Sequence, residues 1–453
     1  MGSLSGARAE LAHLQRRELQ LLQELSDVRK ALAAQKVVLD ELVEASAVPY
    51  IDRLPNELLA EIFLLLRDER RSLVSVSRRW RAVIFDTGKM WSEIDLGYHS
   101  PTMQKLYLER SREAPLTLTI GYSQPELDVV LRHLNRWHTL SVFGSTWVTL
   151  SIISWIIIPS LRHLVLDGTG LSLHDLPTMR SWAPALKHLE LFHWEPPLPR
   201  RSLRRIIPAE SLEELSITSS HDWEFEKDSL RLPSLRRLAL DIRDPIPFLE
   251  AIVAPKLASF CFTPGYDKQS ISKTFAGTKM KFSNVSHLTL SPGCEADEQT
   301  LGLFKLLCQV FCGIRHAHIH VDYVRKLFPH IGQGAIDHCT CIESLEIQNI
   351  ILGSSQPFED LVYWFEKRTR FGQRKLHLKL TGRPVMDKLV TLNTSDTLFQ
   401  RLQGCCASVV LDGIPVSPQL YLPTSAGSLL SFTNLLGCEC LAWYSHRVQM
   451  ARA

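Results

Sequence analysis

One short pattern recurs along this chain and constrains its fold more than any other feature. Leu161-Arg162-His163-Leu164-Val165-Leu166 returns as Leu186-Lys187-His188-Leu189-Glu190-Leu191. It returns again as Leu212-Glu213-Glu214-Leu215-Ser216-Ile217 and Leu235-Arg236-Arg237-Leu238-Ala239-Leu240. Weaker copies begin at Trp137, Leu257, Val285, Ile314 and Ile342, and degenerate ones near Gln373 and Cys406. The spacing runs from about 22 to 33 residues. Each copy reads L-x-x-L-x-L, which predicts a short strand with its apolar side inward. No single copy can bury that side alone, so the copies must stack into a solenoid. The connecting segments, such as Asp175–Trp182 and Thr300–Phe311, carry helical patterns.

Stacking aligns the residues between the buried positions into rows on one open face. One row contains His163, His188, Glu214, Arg237, His287 and His316. The next contains Glu190, His318 and Glu346, and the third contains Asp167, Phe192, Asp241 and His320. The rows are polar, weakly charged and sparsely aromatic. They are neither a basic stripe for phosphates nor an apolar channel for lipid, and a protein or peptide partner fits them best. The competing reading makes them ordinary solvent-facing strand residues and places binding in the loops.

The N-terminal stretch follows a different period. Apolar residues at Leu11, Leu14, Leu21, Leu25, Val28, Leu32, Leu39 and Leu42 fall on the a and d positions of about five heptads, with Glu18 and Gln35 as the breaks. Good helix formers fill the rest and no Pro interrupts. A coiled coil is expected, serving either a homodimer through residues 11–42 or a helix folded back on its own chain. Pro49 ends it.

A short, dense segment follows: Leu54-Pro55-x-Glu57-Leu58-Leu59-x-x-Ile62-Phe63, then Val76-Ser77-Arg78-x-Trp80-Arg81, then Trp91. Leu58, Leu59, Ile62, Phe63, Leu65 and Leu66 cover more than half of a helix circumference, wider than one core stripe needs. So few residues make a poor core alone, and the surplus apolar surface calls for a partner.

In this order and spacing the segment resembles the F-box. That resemblance implies a three-helix module docking a Skp-type adaptor, and through it a cullin–RING ubiquitin ligase. Carried over by position, it implicates Leu54, Pro55, Leu58, Leu59, Ile62, Phe63, Val76 and Trp80 in adaptor binding. The link Arg67–Leu73 is about two residues shorter than the family pattern and lacks its Asp-Leu. The downstream repeats resemble irregular leucine-rich repeats without the Asn or Cys column, so their backbone groups must find other partners. The heptad helix ahead of the F-box is similar to the F-box-like proteins of mushroom-forming fungi. The expected fold class is therefore α/β: a coiled-coil helix over 1–46, an F-box over 47–96 and a leucine-rich-repeat-like α/β solenoid over 97–453.

Charge and motif content narrow the function. Lys plus Arg is 51 against 48 for Asp plus Glu, too balanced for a non-specific nucleic-acid binder. No secretory signal opens the chain. The charge-free stretch from Thr139 to Leu161 is broken by Gly144, Pro159 and hydroxyl residues, and its strictly apolar part is too short for a membrane span. All ten cysteines lie at or after Cys261, and without a signal they read as reduced thiols in a cytoplasmic or nuclear protein. Cys308, Cys312, His316, His318, His320, His338, Cys339 and Cys341 match no compact zinc spacing, so neither a metal nor another cofactor is expected. No catalytic motif is present. The expected function is a substrate-recognition adaptor of a Skp–cullin–F-box ubiquitin ligase. The alternatives are a coiled-coil scaffold without a ligase role and, from another class, a zinc enzyme.

Overall fold

The computed structural model describes residues 4–46, 50–121, 127–144, 155–167, 178–193, 207–219, 226–264, 275, 281–291, 298–328, 334–350, 356–382 and 397–412. Ser151–Ser154, Arg200–Arg205, Asn393, Cys438 and Cys440 lie outside them, as does much of the charge-free stretch. No helix among the described residues is long and apolar enough to cross a membrane.

The heptad segment forms one helix, α1 (Leu4–Ser46), of 43 residues. Side-chain pairs one turn apart, such as Gln20–Glu24 and Asp27–Lys30, support it weakly. Its seam is open: Leu11, Leu25, Leu32 and Leu42 are 57%, 48%, 67% and 61% exposed.

Three short helices follow: α2 (Asn56–Leu65), α3 (Arg70–Val76) and α4 (Arg78–Asp86). The pattern from Leu73 to Phe85 reads as one amphipathic piece, but the chain breaks it at Ser77, which is extended at φ −153° and ψ 164°. The Ser77 hydroxyl accepts from the Trp80 N–H at 3.1 Å and caps α4, a stronger local choice than continuing the helix. The short link after α2 is closed by a 3-10 turn at Arg67–Glu69.

The chain folds as two compact units, one holding Met1–Ala258 with Gly265–Ser272 and the other Ser259–Pro264 with Lys273–Ala453. In the first, β1 (Glu93–Asp95), α5 (Pro101–Ser111), β2 (Leu116–Ile120), α6 (Asp128–Leu131) and β3 (Trp137–Val142) are followed by β4 (His163–Asp167). Then come α7 (Met179–Trp182), β5 (His188–Phe192), β6 (Glu214–Thr218), β7 (Leu230–Arg231) and β8 (Arg237–Ile242). The unit continues with α8 (Ile246–Ala251) and β9 (Ile252–Val253). Strands β1 to β6 and then β8 pair in chain order, all parallel. β7 and β9 form a small separate pair.

The second unit contains β10 (Ser259–Pro264), β11 (His287–Leu290), α9 (Glu298–Val310), β12 (His316–His320), α10 (Val324–Leu327) and β13 (Ser344–Ile350). It ends, among the described residues, with α11 (Gln356–Arg370), β14 (His377–Gly382), α12 (Thr397–Cys405) and β15 (Ser408–Asp412). β10 to β15 also pair in chain order and in parallel.

The repeat pattern explains this regularity. The first apolar position of each copy, at Leu161, Leu186, Leu212, Leu235, Leu257, Val285, Ile314 and Ile342, is at most 2% exposed. The second residue of a copy supplies the backbone satisfaction that an Asn column would give. The Arg162 carbonyl accepts from both Lys187 and His188 N–H at 2.9 Å. Lys187 serves Glu213 and Glu214 in the same way, Glu213 serves Arg236 and Arg237, and Arg315 serves Glu343 and Ser344. One carbonyl thus anchors the entry to the next strand, and no side chain is needed for the task.

Candidate functional site

The helices α2 to α4 enclose a small aromatic core. Phe63 is 1% exposed and lies 4.8 Å, ring centre to ring centre, from Trp80. Leu59 beside it is fully buried. Trp91, also buried, donates its indole N–H to the Ile84 carbonyl at 2.9 Å and meets Tyr107 edge-on at 5.4 Å. Arg70 stacks on Trp91 and Tyr107, and Arg110 on Phe85 and Trp91. Gly88 permits the close fit to α5, because a Cβ there would sit 2.8 Å from the Ser111 carbonyl oxygen.

This core divides the expected adaptor contacts. Leu58 and Ile62 remain 52% and 37% exposed, and Pro55 and Val76 are also exposed. Leu54 and Trp80 are half-buried. Leu59 and Phe63, also expected among the contacts, lie on the neighbouring, inward side of α2 and are buried in the core of the module. Leu65, 85% exposed, continues the exposed row Leu58, Ile62, Leu65 at intervals of four and three residues. Leu66 is 46% exposed at its end. The signal for Leu65 was present in the wide apolar arc of α2, but choosing between neighbours on that arc required knowing where Phe63 points.

The start of α2 is braced from a distance. Pro55 precedes it and offers no side-chain cap. Arg79 of α4 instead bonds the Asp52 carbonyl at 2.6 Å, the Asn56 side chain at 3.0 Å and the Leu54 carbonyl. One guanidinium therefore fixes the backbone at Leu54-Pro55 against α4.

The strand rows have the expected alignment. His163 pairs in register with His188, His188 with Glu214, and Glu214 with Arg237. In the other unit His287 pairs with His316 and His316 with Ser344, while His318 pairs with Glu346. Side-chain contacts between neighbouring strands lace the rows. His163 meets Glu190 at 2.9 Å, His188 meets Glu214 at 2.9 Å, and Arg237 also holds Glu214 through its Nε at 2.7 Å. Burial works against the Glu214 charge, yet His188 and Arg237 hold its carboxyl below the usual range. Glu346 receives His318 at 3.4 Å, Lys379 at 3.4 Å and the Thr381 hydroxyl at 3.1 Å. Burial pushes His318 down.

The third row departs from an open face: Asp167, Phe192 and His320 are 2%, 4% and 8% exposed. Asp167 bonds His193 at 3.3 Å, and that hydrogen bond raises the His193 pKa. Asp241, further along the row, is pushed up to about 6 by burial. His320 bonds Asp322 at 3.0 Å. Cys308 is buried in α9 and Cys312 exposed just beyond it. Among the described residues no group of three or more His, Cys, Asp or Glu has the geometry of a metal site.

No curated protein matches the chain. A family match covers the docking module alone, with its three helices, buried aromatic core and exposed leucine row: residues 51–97 fit the family described as F-box-like, and that segment is an F-box-like domain.

Proposed function

We propose that this protein is a substrate-recognition adaptor of a Skp–cullin–F-box type ubiquitin ligase. The observation that carries the reading is the row Leu58, Ile62 and Leu65, exposed on a domain whose family generally binds Skp-type adaptors. An apolar row of this kind on a small module is the surface expected to finish its burial against a partner. The parallel strands, read as a leucine-rich-repeat-like solenoid, present the rows His163–His188–Glu214–Arg237 and His287–His316 to a protein substrate. On this reading the chain itself is not the catalyst. It works by proximity, raising the effective concentration of charged ubiquitin at the bound substrate. On this reading the protein acts in the cytoplasm or nucleus.

The test is a binding assay of the full chain with a purified Skp-type adaptor. A Leu54→Ala/Pro55→Ala variant should bind more weakly while melting at the wild-type temperature. Wild-type protein that fails to bind the adaptor sinks the ligase reading.

A second reading is supported by the uncovered seam of α1, which fits a coiled-coil scaffold that joins two copies and holds partners without promoting degradation. Adaptor binding without ubiquitin transfer to any co-purified protein favours it.

A further inference from the structure

The second unit has a cavity of about 830 Å³ at the N-terminal edge of β11 to β14. Such a volume lies in the range of small-molecule sites. Three arginines line it, Arg315, Arg368 and Arg374, against one acidic residue, Glu343. Arg374 is already engaged with Glu343 at 3.6 Å. Arg315 carries no ion pair among the described residues.

Arg368 is the unusual member. It lies in the last turns of α11 and is only 8% exposed. Its one contact of note is with Trp364, whose ring lies 5.0 Å beneath the guanidinium. Its Nε is buried without a hydrogen-bond partner. The nearest acid, Asp337, is committed elsewhere. It takes the Trp364 indole N–H at 2.8 Å, the Gly334 N–H at 2.9 Å and the Lys367 ammonium at 3.6 Å. Burial lowers the Arg368 pKa, but a guanidinium keeps its charge in a protein. A buried charged group whose only nearby acid is shared with three other donors is poorly compensated, and such a group lining a cavity can be satisfied by an anion bound there.

Charge and size together select the ligand class. A carboxylate would leave most of the positive charge in the cavity uncompensated. A phosphate monoester brings a charge of about −1.5 to −2 and three acceptor oxygens, matching two free guanidinium groups. The cavity is far larger than a bare phosphate, and neutral hydrogen-bonding groups from Ser283, Asn284 and Thr340 complete its wall. We propose that this cavity binds a small phosphate monoester bearing free hydroxyl groups, with Arg368 and Arg315 on the phosphate. The site lies wholly within the second unit, and the proposal is independent of adaptor docking.

Isothermal titration calorimetry of the full chain with glucose 6-phosphate tests it, beside inorganic phosphate, glucose and citrate. Glucose 6-phosphate should bind saturably at one site, more tightly than inorganic phosphate, glucose or citrate. Arg368→Met keeps the stem on Trp364 and removes the charge. It should weaken the sugar phosphate about ten-fold or more, as expected for a charge-assisted contact, while the ligand-free chain melts at a higher temperature. Arg315→Gln, at an exposed position, should weaken binding without moving the melting temperature. Arg401→Gln, whose wild-type side chain pairs with Glu366 outside the cavity, should change nothing. No saturable heat with glucose 6-phosphate overturns the proposal. So does equal affinity in Arg368→Met and Arg315→Gln, or tighter binding of citrate or glucose.

Discussion

The division of α2 into a docking side and a core side makes a quantitative prediction. Leu58, Ile62 and Leu65 are 52%, 37% and 85% exposed, so truncating them removes little that the isolated chain has buried. If an adaptor covers them, each gains a share of the value of a fully buried aliphatic side chain, about 1.5–3 kcal/mol. Scaled by the area still open, Leu65 has about 1.5–2.5 kcal/mol to gain and Leu58 and Ile62 each about 1 kcal/mol. The triple Ala variant should therefore lose about 3–5 kcal/mol of adaptor affinity, a factor of roughly a hundred to a few thousand. Its melting temperature should hold within a degree or two. Phe63→Ala should do the reverse to the chain itself, costing about 3–5 kcal/mol of stability through the cavity left against Trp80. Calorimetric titration with the adaptor, paired with thermal melts of each variant, separates the two. A triple variant that binds as well as wild type refutes the assignment of the face. A folded Phe63→Ala protein that loses affinity with no loss of stability refutes the division itself.

Other expectations follow from single features. Asp241 has a pKa raised from 3.8 to about 6 by burial, so between those values the unfolded chain ionises first and stability falls as pH rises. By about pH 7 the loss is complete, on the order of 2–3 kcal/mol. Asp241→Asn should recover it and flatten the pH profile of denaturant unfolding, and identical profiles for the two proteins would contradict the burial argument. Gly88→Ala drives a methyl against the Ser111 carbonyl and should cost about 1–3 kcal/mol, read as a lower melting temperature. Leu25→Lys with Leu32→Lys, on the open seam of α1, should convert a two-chain species to one chain in sedimentation, and a wild type that already sediments as one chain ends the dimer proposal.

Much of this architecture was legible because it is periodic. The alignment of His163, His188, Glu214 and Arg237 follows from counting within each L-x-x-L-x-L copy, since strand period and repeat position together fix the register. The heptads of α1 were readable for the same reason. What escaped was set by tertiary geometry. Leu58 and Leu59 are equivalent in composition, and only the direction of Phe63 and Trp80 decides which faces inward. Asp167, Phe192 and His320 follow the strand alternation, yet they are buried, which alternation alone does not signal. Arg368 left no trace, because its cavity is assembled from positions up to 91 residues apart, from Ser283 to Arg374. The break at Ser77 could have been read from the cap chemistry of Ser before Trp80, had periodicity not outweighed it.

Within each unit every main-sheet strand pairs only with its neighbours in chain order. Long-range closure is therefore nearly absent from the folding problem: each strand needs only the previous one in place, and contact order stays low for so large a sheet. The same feature removes the usual penalty for shortening. Cutting at the end of β14 strips one pairing from the sheet of its unit and leaves the earlier ones intact, so a series of C-terminal truncations should lose unfolding enthalpy in steps rather than collapse at the first cut.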